Sequence, residues 1–333
     1  LYKSITKLLP YYYSKSLNAV RWEIQQEIKD EQDTLAIAQY VRAFSHDPSS
    51  YTWIMDFLEK TENPMLKTAG VETIGQIISQ NGFDGFYKSY ASFHRKSILE
   101  FLKLEMENGD EGVIAAAADI IARPESKLSN LIDSTDFLFE LKSQLANPAQ
   151  IESIHALDRA IAQVRGVNTV KYTPVKKPKS LDWSMLTEFT PGSEMIVKTD
   201  QGVFRVKLFF EEVPATVFNF MKLARENYFD DKIFHRVVPN FVAQTGSPRA
   251  DNYGGMDYVI SSELTDLYYD KESYLGMASA GKNTESCQWF ITHSPTPHLD
   301  GKYTIFGEVI EGQEIIQQIK LGDKIQDIII TSI

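Results

Sequence analysis

Residues 234–246 read FHRVVPNFVAQTG, and residues 276–309 read GMASAGKNTESCQWFITHSPTPHLDGKYTIFGEV. Both stretches lie after Gly192, in a part of the chain where short apolar runs are separated by glycine-bearing turns. The dipeptide Asp300-Gly301 stands just before a strand predicted over residues 303–309, and such dipeptides are typical of tight hairpins. These stretches predict a mostly β C-terminal region.

The sequence before these stretches predicts a hairpin followed by a helix. Residues 203–210 place Phe204, Val206, Leu208 and Phe210 on one face, as in a half-buried strand. A turn at residues 200–202 would join it to a strand over residues 195–198. Pro214 then opens an amphipathic helix over residues 215–227, which presents apolar side chains to the core: Val217, Phe218, Met221 and Ala224.

The chain up to about Gly166 predicts helix after helix, because its apolar residues return every three or four positions. One aromatic stripe keeps this helical spacing over most of residues 83–101, and we interpret it as core rather than as a ligand site. The stripe consists of Phe83, Phe86, Tyr87, Tyr90, Phe93, Ile98 and Phe101.

Three helical segments, residues 67–77, 112–121 and 151–166, carry small residues on one face. Each includes an isoleucine toward its end, at Ile74, Ile120 and Ile161, and the segments resemble HEAT repeats in period. Small residues allow neighbouring helices to approach closely, and a helix pair buries its apolar face only against a stacked neighbour. We therefore predict a HEAT-like helical repeat domain over residues 1–166, with residues 1–16 as a cap or flexible start.

Residues 167–192 read VNTVKYTPVKKPKSLDWSMLTEFTPG and predict a linker. Three prolines fix φ and remove donors, so a helix is disfavoured. The basic cluster of Lys176, Lys177 and Lys179 is interpreted as a solvated part of this linker, with a contact patch as the alternative. The third predicted region is residues 193–333.

Composition excludes several classes of protein. The chain has 333 residues, with 34 basic and 45 acidic side chains, a net charge of -11 and a pI near 5.1. This balance argues against a nucleic-acid partner. No run approaches the roughly 18 apolar residues of a membrane helix. Cys287 is the only cysteine, which excludes an intrachain disulfide and a cysteine-built zinc site, and we expect it to be a buried thiol.

The sequence also excludes several kinds of catalytic site. The six histidines show no metal-binding spacing, so no metal site is predicted, and no cofactor-binding motif is present. No Gly-x-Ser-x-Gly elbow or phosphate-binding loop occurs, and Cys287 lacks a neighbouring base. What remains is a reaction that needs no nucleophile.

The two stretches quoted first resemble the signature regions of cyclophilins, the peptidyl-prolyl cis-trans isomerases, in order and spacing. The resemblance covers roughly residues 193–333 and implies a closed eight-stranded antiparallel barrel, capped by two helices, with its active site in an outer groove. It implies isomerisation of X-Pro bonds, which otherwise rotate over a barrier of about 18 to 20 kcal/mol. The chain as a whole is thus expected to be multidomain, with an all-α array followed by a mostly-β barrel.

The resemblance also implies the site residues. Arg236 matches the arginine that donates to the prolyl nitrogen, and Gln244 matches the glutamine that holds the substrate backbone. Ala278 and Ser279 fall where the family offers backbone groups to the residue before proline. Phe241 is expected to act with Arg236 and Gln244, and the predicted proline pocket comprises Phe241, Val242, Phe290 and Leu299.

Two positions depart from the family pattern at the border of the groove. His298 stands where many cyclophilins have a tryptophan that contacts cyclosporin, and Tyr303 replaces a frequent histidine. We expect weak cyclosporin binding with proline turnover retained. His235 is interpreted as a packing residue, because bond rotation needs no proton abstraction. A flat rate between about pH 6 and 8 is therefore expected.

The leading hypothesis is a prolyl isomerase acting on proline-containing polypeptides, with the helical array as an interaction module for an unidentified protein. The alternative is a non-catalytic scaffold that grips proline-containing segments. The combination of array and cyclophilin resembles bacterial proteins, some of them exported, which favours the bacterial cell envelope or periplasm. Because the chain begins at Leu1, we expect a mature or trimmed product, and the lack of an export signal decides nothing.

Overall fold

A computed structural model describes residues 17–176 and 193–331. These residues form two compact units. The helical unit contains residues 17–145 and 152–173, and the sheet unit contains residues 146–151, 174–176 and 193–331. The predicted N-terminal cap and the linker lysines Lys177 and Lys179 lie outside the described residues. No helix in the described ranges is long and apolar enough to cross a membrane.

The described part of the chain before residue 166 forms nine α-helices. Their N-termini follow from local side chains: Asp33, Asn63 and Asp110 each accept a hydrogen bond from a backbone N–H in the first turn of the helix that follows. The helices are α1 (Leu17–Asp30), α2 (Thr34–Ala43), α3 (Tyr51–Leu58), α4 (Pro64–Ser79), α5 (Asn81–Tyr87), α6 (Ala91–Glu107), α7 (Glu111–Ala122), α8 (Asp136–Gln144) and α9 (Ile151–Val164).

Small residues do bring these helices close together, as predicted. A Cβ atom on Gly70 would lie 2.5 Å from the side chain of Leu58 in α3. A Cβ on Gly75 would lie 2.5 Å from the side chain of Ile120 in α7. Glycine is therefore required in α4 because two neighbouring helices press against its backbone.

Four helices follow one another through the helical unit, in the order α2, α4, α7 and α9. Helix α4 contacts both α2 and α7. Helix α9 joins α7 through Arg159, which donates to Asp119 at 2.9 Å, and through Ser153, which donates to the carbonyl of Glu111 at 2.8 Å. Each of the four also contacts a helix that precedes it in the chain, namely α1, α3, α6 and α8. Eight of the nine described helices thus form four successive pairs, and α5 belongs to none of them.

The aromatic stripe is core only in part, which corrects the prediction. Phe83, Ile98 and Phe101 are buried, but Phe86, Tyr90 and Phe93 are more than half exposed. Helix α5 ends at Tyr87, and a short 3-10 turn separates it from α6. The helical spacing in the sequence therefore spans two different helices, and their faces do not align.

The sheet unit contains one antiparallel sheet and two helices. Its strand order is β3-β4-β6-β5-β7-β2-β1-β8. The strands are β1 (Glu194–Thr199), β2 (Gly202–Leu208), β3 (Arg236–Val238), β4 (Val242–Thr245), β5 (Tyr274–Met277), β6 (Trp289–Thr292), β7 (Ile305–Glu311) and β8 (Ile325–Thr331). Helix α10 (Pro214–Arg225) follows β2, and helix α11 (Gln313–Gln318) follows β7.

The expected closed barrel is not formed by strand pairing. Strands β3 and β8 remain at the two edges of an open, curled sheet. The segment before β3 instead meets the first residue of β8 and the segment before it: Phe234 N donates to Asp323 O at 2.8 Å, and Ile325 N donates to Lys232 O at 2.9 Å. The curled sheet therefore stays open between β3 and β8.

The first predicted hairpin is confirmed, and the second is wrong. Strands β1 and β2 pair with Thr199 opposite Gly202. The dipeptide Asp300-Gly301 instead follows a 3-10 turn at Pro297–Leu299, and the next strand begins only at Ile305. Strand β6 pairs with β4 and β5, whereas β7 pairs with β5 and β2. The dipeptide therefore makes a turn that joins non-neighbouring strands.

An aromatic core holds the sheet unit together. Trp289 of β6 is fully buried and contacts Phe220 of α10 with ring centroids 5.4 Å apart. Phe229, Phe234 and Phe306 surround the same indole. Burying such large rings contributes to the hydrophobic stabilisation of this unit. Cys287, two residues before Trp289, is buried with 1% exposure, as predicted.

Candidate active site

Three predicted site residues lie in one row across three neighbouring strands. Arg236 of β3 is paired with Gln244 of β4, and Gln244 is paired with Phe290 of β6. These residues are far apart in sequence, and only the strand register places them side by side. The row runs inward from the edge strand, from the half-buried Arg236 to the buried Phe290.

The guanidinium of Arg236 lies over an aromatic ring and has no anionic partner among the described residues. Its Cζ atom lies 5.6 Å from the centroid of the Phe241 ring. It makes no side-chain hydrogen bond or ion pair with any residue in the described ranges. Partial burial lowers the pKa of Arg236 from its ordinary value, although the side chain stays charged at neutral pH. Its N–H donors are therefore partly desolvated and unused.

Phe241 links the arginine to the outer border of the groove. Its ring stacks on the imidazole of His298, with centroids 5.3 Å apart and an interplanar angle of 27°. The backbone of Phe241 is fixed because its carbonyl accepts from His293 N at 2.8 Å. The neighbouring Asn240 adopts a left-handed φ of 60°, which turns the chain sharply before β4. Phe241 is thus a half-buried ring that contacts both Arg236 and His298.

The predicted proline pocket has a buried floor. Phe290 is 4% exposed and Leu299 is 9% exposed. The Tyr303 ring meets Phe290 edge-on, with centroids 5.9 Å apart. Val242, at 2% exposure, is a core residue rather than a surface of the groove. Val242, Phe290 and Leu299 belong to one hydrophobic cluster, against which Phe241 and Tyr303 pack.

Gln288 is a site residue that the sequence interpretation missed. Its Oε1 accepts from Gln244 Nε2 at 3.0 Å, and its own Nε2 donates to the carbonyl of Gly254 at 2.7 Å. Gln288 therefore fixes the rotamer of Gln244 against the loop that contains Gly254. A second glutamine one residue before Trp289 was the available signal, because a buried amide needs partners on both ends.

The β5–β6 loop carries the two residues expected to contact the substrate backbone. Ala278 and Ser279 are both half-buried at the start of this loop. The amide of Ala278 already donates to Gln288 O at 2.9 Å. A substrate could therefore use the carbonyl of Ala278 but not its N–H group.

Comparison with known proteins covers the sheet unit. The family model "Cyclophilin type peptidyl-prolyl cis-trans isomerase/CLD" matches residues 194–333. A peptidyl-prolyl cis-trans isomerase of Synechococcus elongatus is 38% identical over 135 residues, which is 40% of this chain and 92% of that protein. Peptidyl-prolyl cis-trans isomerase B of Bacillus subtilis is 41% identical over 130 residues, covering 39% of this chain and 91% of that protein.

The chain belongs to the cyclophilin-type peptidyl-prolyl cis-trans isomerases. A further relative, ppi1 of Schizosaccharomyces pombe, is 43% identical over 129 residues, which is 38% of this chain and 83% of that protein. Among solved structures, a cyclophilin type isomerase of Cryptosporidium parvum is 31% identical, with a TM-score of 0.41, and covers 43% of this chain and 99% of its own. The activity of this cyclophilin is the isomerisation of X-Pro bonds. These relatives come from bacteria and eukaryotes alike, so the expected bacterial origin stays a prediction.

The histidine next to Arg236 is unsuited to proton transfer near neutral pH. His235 is 8% exposed. Burial, together with the charge of the adjacent Arg236, lowers its pKa to about 4. The imidazole is therefore neutral above about pH 5. In this cyclophilin the packing role predicted for His235 agrees with its burial and charge state.

Proposed function

We propose that this isomerase binds an X-Pro segment along the row formed by Arg236, Gln244 and Phe290. The pyrrolidine ring would sit against Phe290 and Leu299, while Gln244 holds the substrate backbone. Arg236 would donate to the prolyl nitrogen as the amide twists and that nitrogen becomes basic. The observation that carries this proposal is the desolvated guanidinium without an anionic partner among the described residues.

The required stabilisation exceeds what Arg236 alone can supply. Shortening isomerisation from about 100 s to about 1 ms corresponds to roughly 7 kcal/mol of transition-state preference. A hydrogen bond from a charged donor contributes about 1.5 to 3 kcal/mol. The remainder must come from orientation of the substrate by the pocket and by the glutamine pair. Arg236, Phe241 and Gln244 are thus proposed as the catalytic set. Val242, Ala278, Ser279, Phe290, His298, Leu299 and Tyr303 are proposed to shape the substrate site.

NMR exchange on a blocked Ala-Pro peptide tests this proposal. Wild type should accelerate exchange between the cis and trans resonances, and Arg236→Ala should lower kcat/KM by about a hundredfold or more. Arg205→Ala is the matched control, because Arg205 lies on β2 and already pairs with Glu194. Equal exchange with wild type and Arg236→Ala would instead support the non-catalytic scaffold.

We also propose that the helical unit is a HEAT-like array that serves as a protein-interaction module. The succession of α2, α4, α7 and α9, each contacting a preceding helix, supports this proposal. In such an array each pair depends chiefly on its neighbours, so a terminal pair can be lost without collapse of the rest. Deleting residues 1–43 removes α1 and α2 and should leave α4, α7 and α9 protected from hydrogen exchange. Loss of protection throughout the helical unit would contradict a repeat array.

A further inference from the structure

Glu285 is a buried acid that the proposed mechanism does not use. It lies in the β5–β6 loop, six residues after Ser279, and its side chain is fully buried. Its carbonyl accepts from Ile260 N at 2.8 Å, which anchors the loop to the chain segment before β5. A buried carboxyl group is unusual without a basic partner, so this position requires an explanation.

The Glu285 carboxyl joins the two chain segments that border the groove. Its Oε1 accepts from the Thr304 hydroxyl at 2.8 Å, and Thr304 directly follows the groove residue Tyr303. The same Thr304 hydroxyl accepts from Glu263 N at 3.0 Å, and its carbonyl accepts from Met277 N at 3.0 Å. Glu285 thereby ties the loop of Ala278 and Ser279 to the start of β7.

The second oxygen of the Glu285 carboxyl, Oε2, is buried. It makes no hydrogen bond of normal geometry with a described residue. Burial raises the pKa of Glu285 to about 7, and the nearby Glu263 carboxylate acts in the same direction. The hydroxyls of Thr304 and Ser262 oppose this shift. Tyr269 also faces the carboxyl, and no basic side chain in the described ranges contributes to the shift. The charge of Glu285 therefore changes near neutral pH.

We propose that Glu285 is a positioning residue for the substrate-binding edge of the groove, and that its neutral form holds this edge more firmly than its ionised form. A buried carboxylate with one oxygen that lacks a donor among the described residues favours opening of the loop toward water, whereas the neutral acid does not. The hydrogen bond from Thr304 carries this effect to Tyr303 and to the Ala278–Ser279 backbone through the chain, and Glu285 itself does not touch the substrate. The inference rests on the proposed placement of the substrate in this groove.

Ionisation of Glu285 would make the KM of the isomerase depend on pH. The flat rate expected from the sequence considered only His235, which stays neutral from pH 6 to 8 because burial lowers its pKa to about 4. Glu285 adds a transition near pH 7. As the pH rises from about 6 to 8, KM for a blocked Ala-Pro peptide should rise about three- to fivefold, while kcat changes by less than about twofold. The blocked peptide has no titrating group of its own.

Glu285→Gln is the decisive variant, because the amide resembles the neutral acid in shape and in having one acceptor and one donor. Its KM should be independent of pH over this range and equal to the wild-type value at low pH. Thr304→Val is the second variant. It leaves the carboxyl in place but removes the hydroxyl that transmits its charge, so its KM should also lose the pH dependence. It covers the case in which Glu285→Gln fails to fold.

Stability against pH gives a readout that does not depend on activity. The pKa of Glu285 is higher in the folded state, at about 7, than in the unfolded chain, at about 4.3. The contribution of Glu285 to the free energy of unfolding is therefore complete below about pH 4.3 and is lost as the pH rises through about 7. Wild type should therefore lose stability relative to Glu285→Gln over this window.

The outcomes separate this inference from the proposed function. A wild type without isomerase activity would overturn the proposed function itself. An active wild type with a flat KM between pH 6 and 8, or a Glu285→Gln variant with the same pH profile as wild type, would overturn only the role of Glu285.

Discussion

Arg95 in the helical unit and Arg236 in the sheet unit both lie over a phenylalanine ring, yet their surroundings differ. Arg95 is 4.7 Å from the Phe83 centroid and donates to the carbonyls of Ser126 and Ile78 as well as to Asp84. Arg236 is 5.6 Å from the Phe241 centroid and has no hydrogen-bond acceptor among the described residues. The helical unit uses its buried cation to join chain segments, whereas the sheet unit leaves one available to a ligand.

The largest effect is expected from Arg95→Leu. Removing this cation leaves two buried carbonyls and the Asp84 carboxylate short of donors, which should destabilise the helical unit by about 3 to 4 kcal/mol. Isomerase activity should be retained, because every Arg95 contact lies within the helical unit. Urea unfolding monitored by helical circular dichroism measures the change. Lys96→Leu, at the exposed neighbouring position, is the control, and equal destabilisation by both variants would contradict the assignment.

The next effect concerns the packing of α4 against α7. Gly75→Ala places a Cβ atom 2.5 Å from Ile120, so the two helices must separate. We expect a loss of about 1 to 3 kcal/mol in the free energy of unfolding. Gly82→Ala is the matched control, because a Cβ there meets no atom within 4 Å. A Gly75→Ala protein as stable as the Gly82→Ala protein would show that α4 and α7 do not pack closely.

A smaller effect separates charge from geometry at Arg236. Arg236→Lys keeps a cation but loses the planar fork that lies over Phe241, so kcat/KM should fall about tenfold. Stability should change by less than about 0.5 kcal/mol, because no described partner is lost. Peptide exchange and urea unfolding measure the two quantities. Full activity of Arg236→Lys would mean that a point charge suffices, and a large loss of stability would contradict a free guanidinium.

The smallest effect is expected at the border of the groove. His298 is exposed and stacks on Phe241, where it supplies less apolar surface than an indole would. His298→Trp should strengthen cyclosporin binding about fivefold and leave proline turnover within about twofold of wild type. Isothermal titration calorimetry gives the dissociation constant. Low-nanomolar binding by wild type would contradict the predicted weakness.

The sequence predicted local elements well wherever one element carried the whole pattern. The alternation in β2 and the proline-led helix α10 are both confirmed, because burial on one face produces a period within a single segment. The prediction that the aromatic stripe forms core was wrong in part, because its period continued across two helices. The prediction of a hairpin at Asp300-Gly301 was wrong, because a turn motif does not specify which strands pair afterwards.

Some residues of the candidate site were predicted from the sequence, and others were found only in the structure. The cyclophilin resemblance named Arg236, Gln244 and Phe290, and the register places them in one row. The only sequence signal for Gln288 was its amide type beside Trp289, and Glu285 carried none, since the importance of both residues depends on partners distant in sequence. Gln288 reaches Gly254, and Glu285 reaches Thr304.

By itself, the amino-acid sequence determined the change from helical to strand-like periodicity, the small-residue helices and the cyclophilin family of the C-terminal region. These are properties of residue type and spacing along a continuous segment. Only the tertiary structure decided that β3 and β8 remain edges, that Arg236 lacks an anionic partner in the described ranges, and that Glu285 is buried with one oxygen unbonded. Desolvation and strand register depend on which distant segments meet, and those contacts exist only in the folded chain.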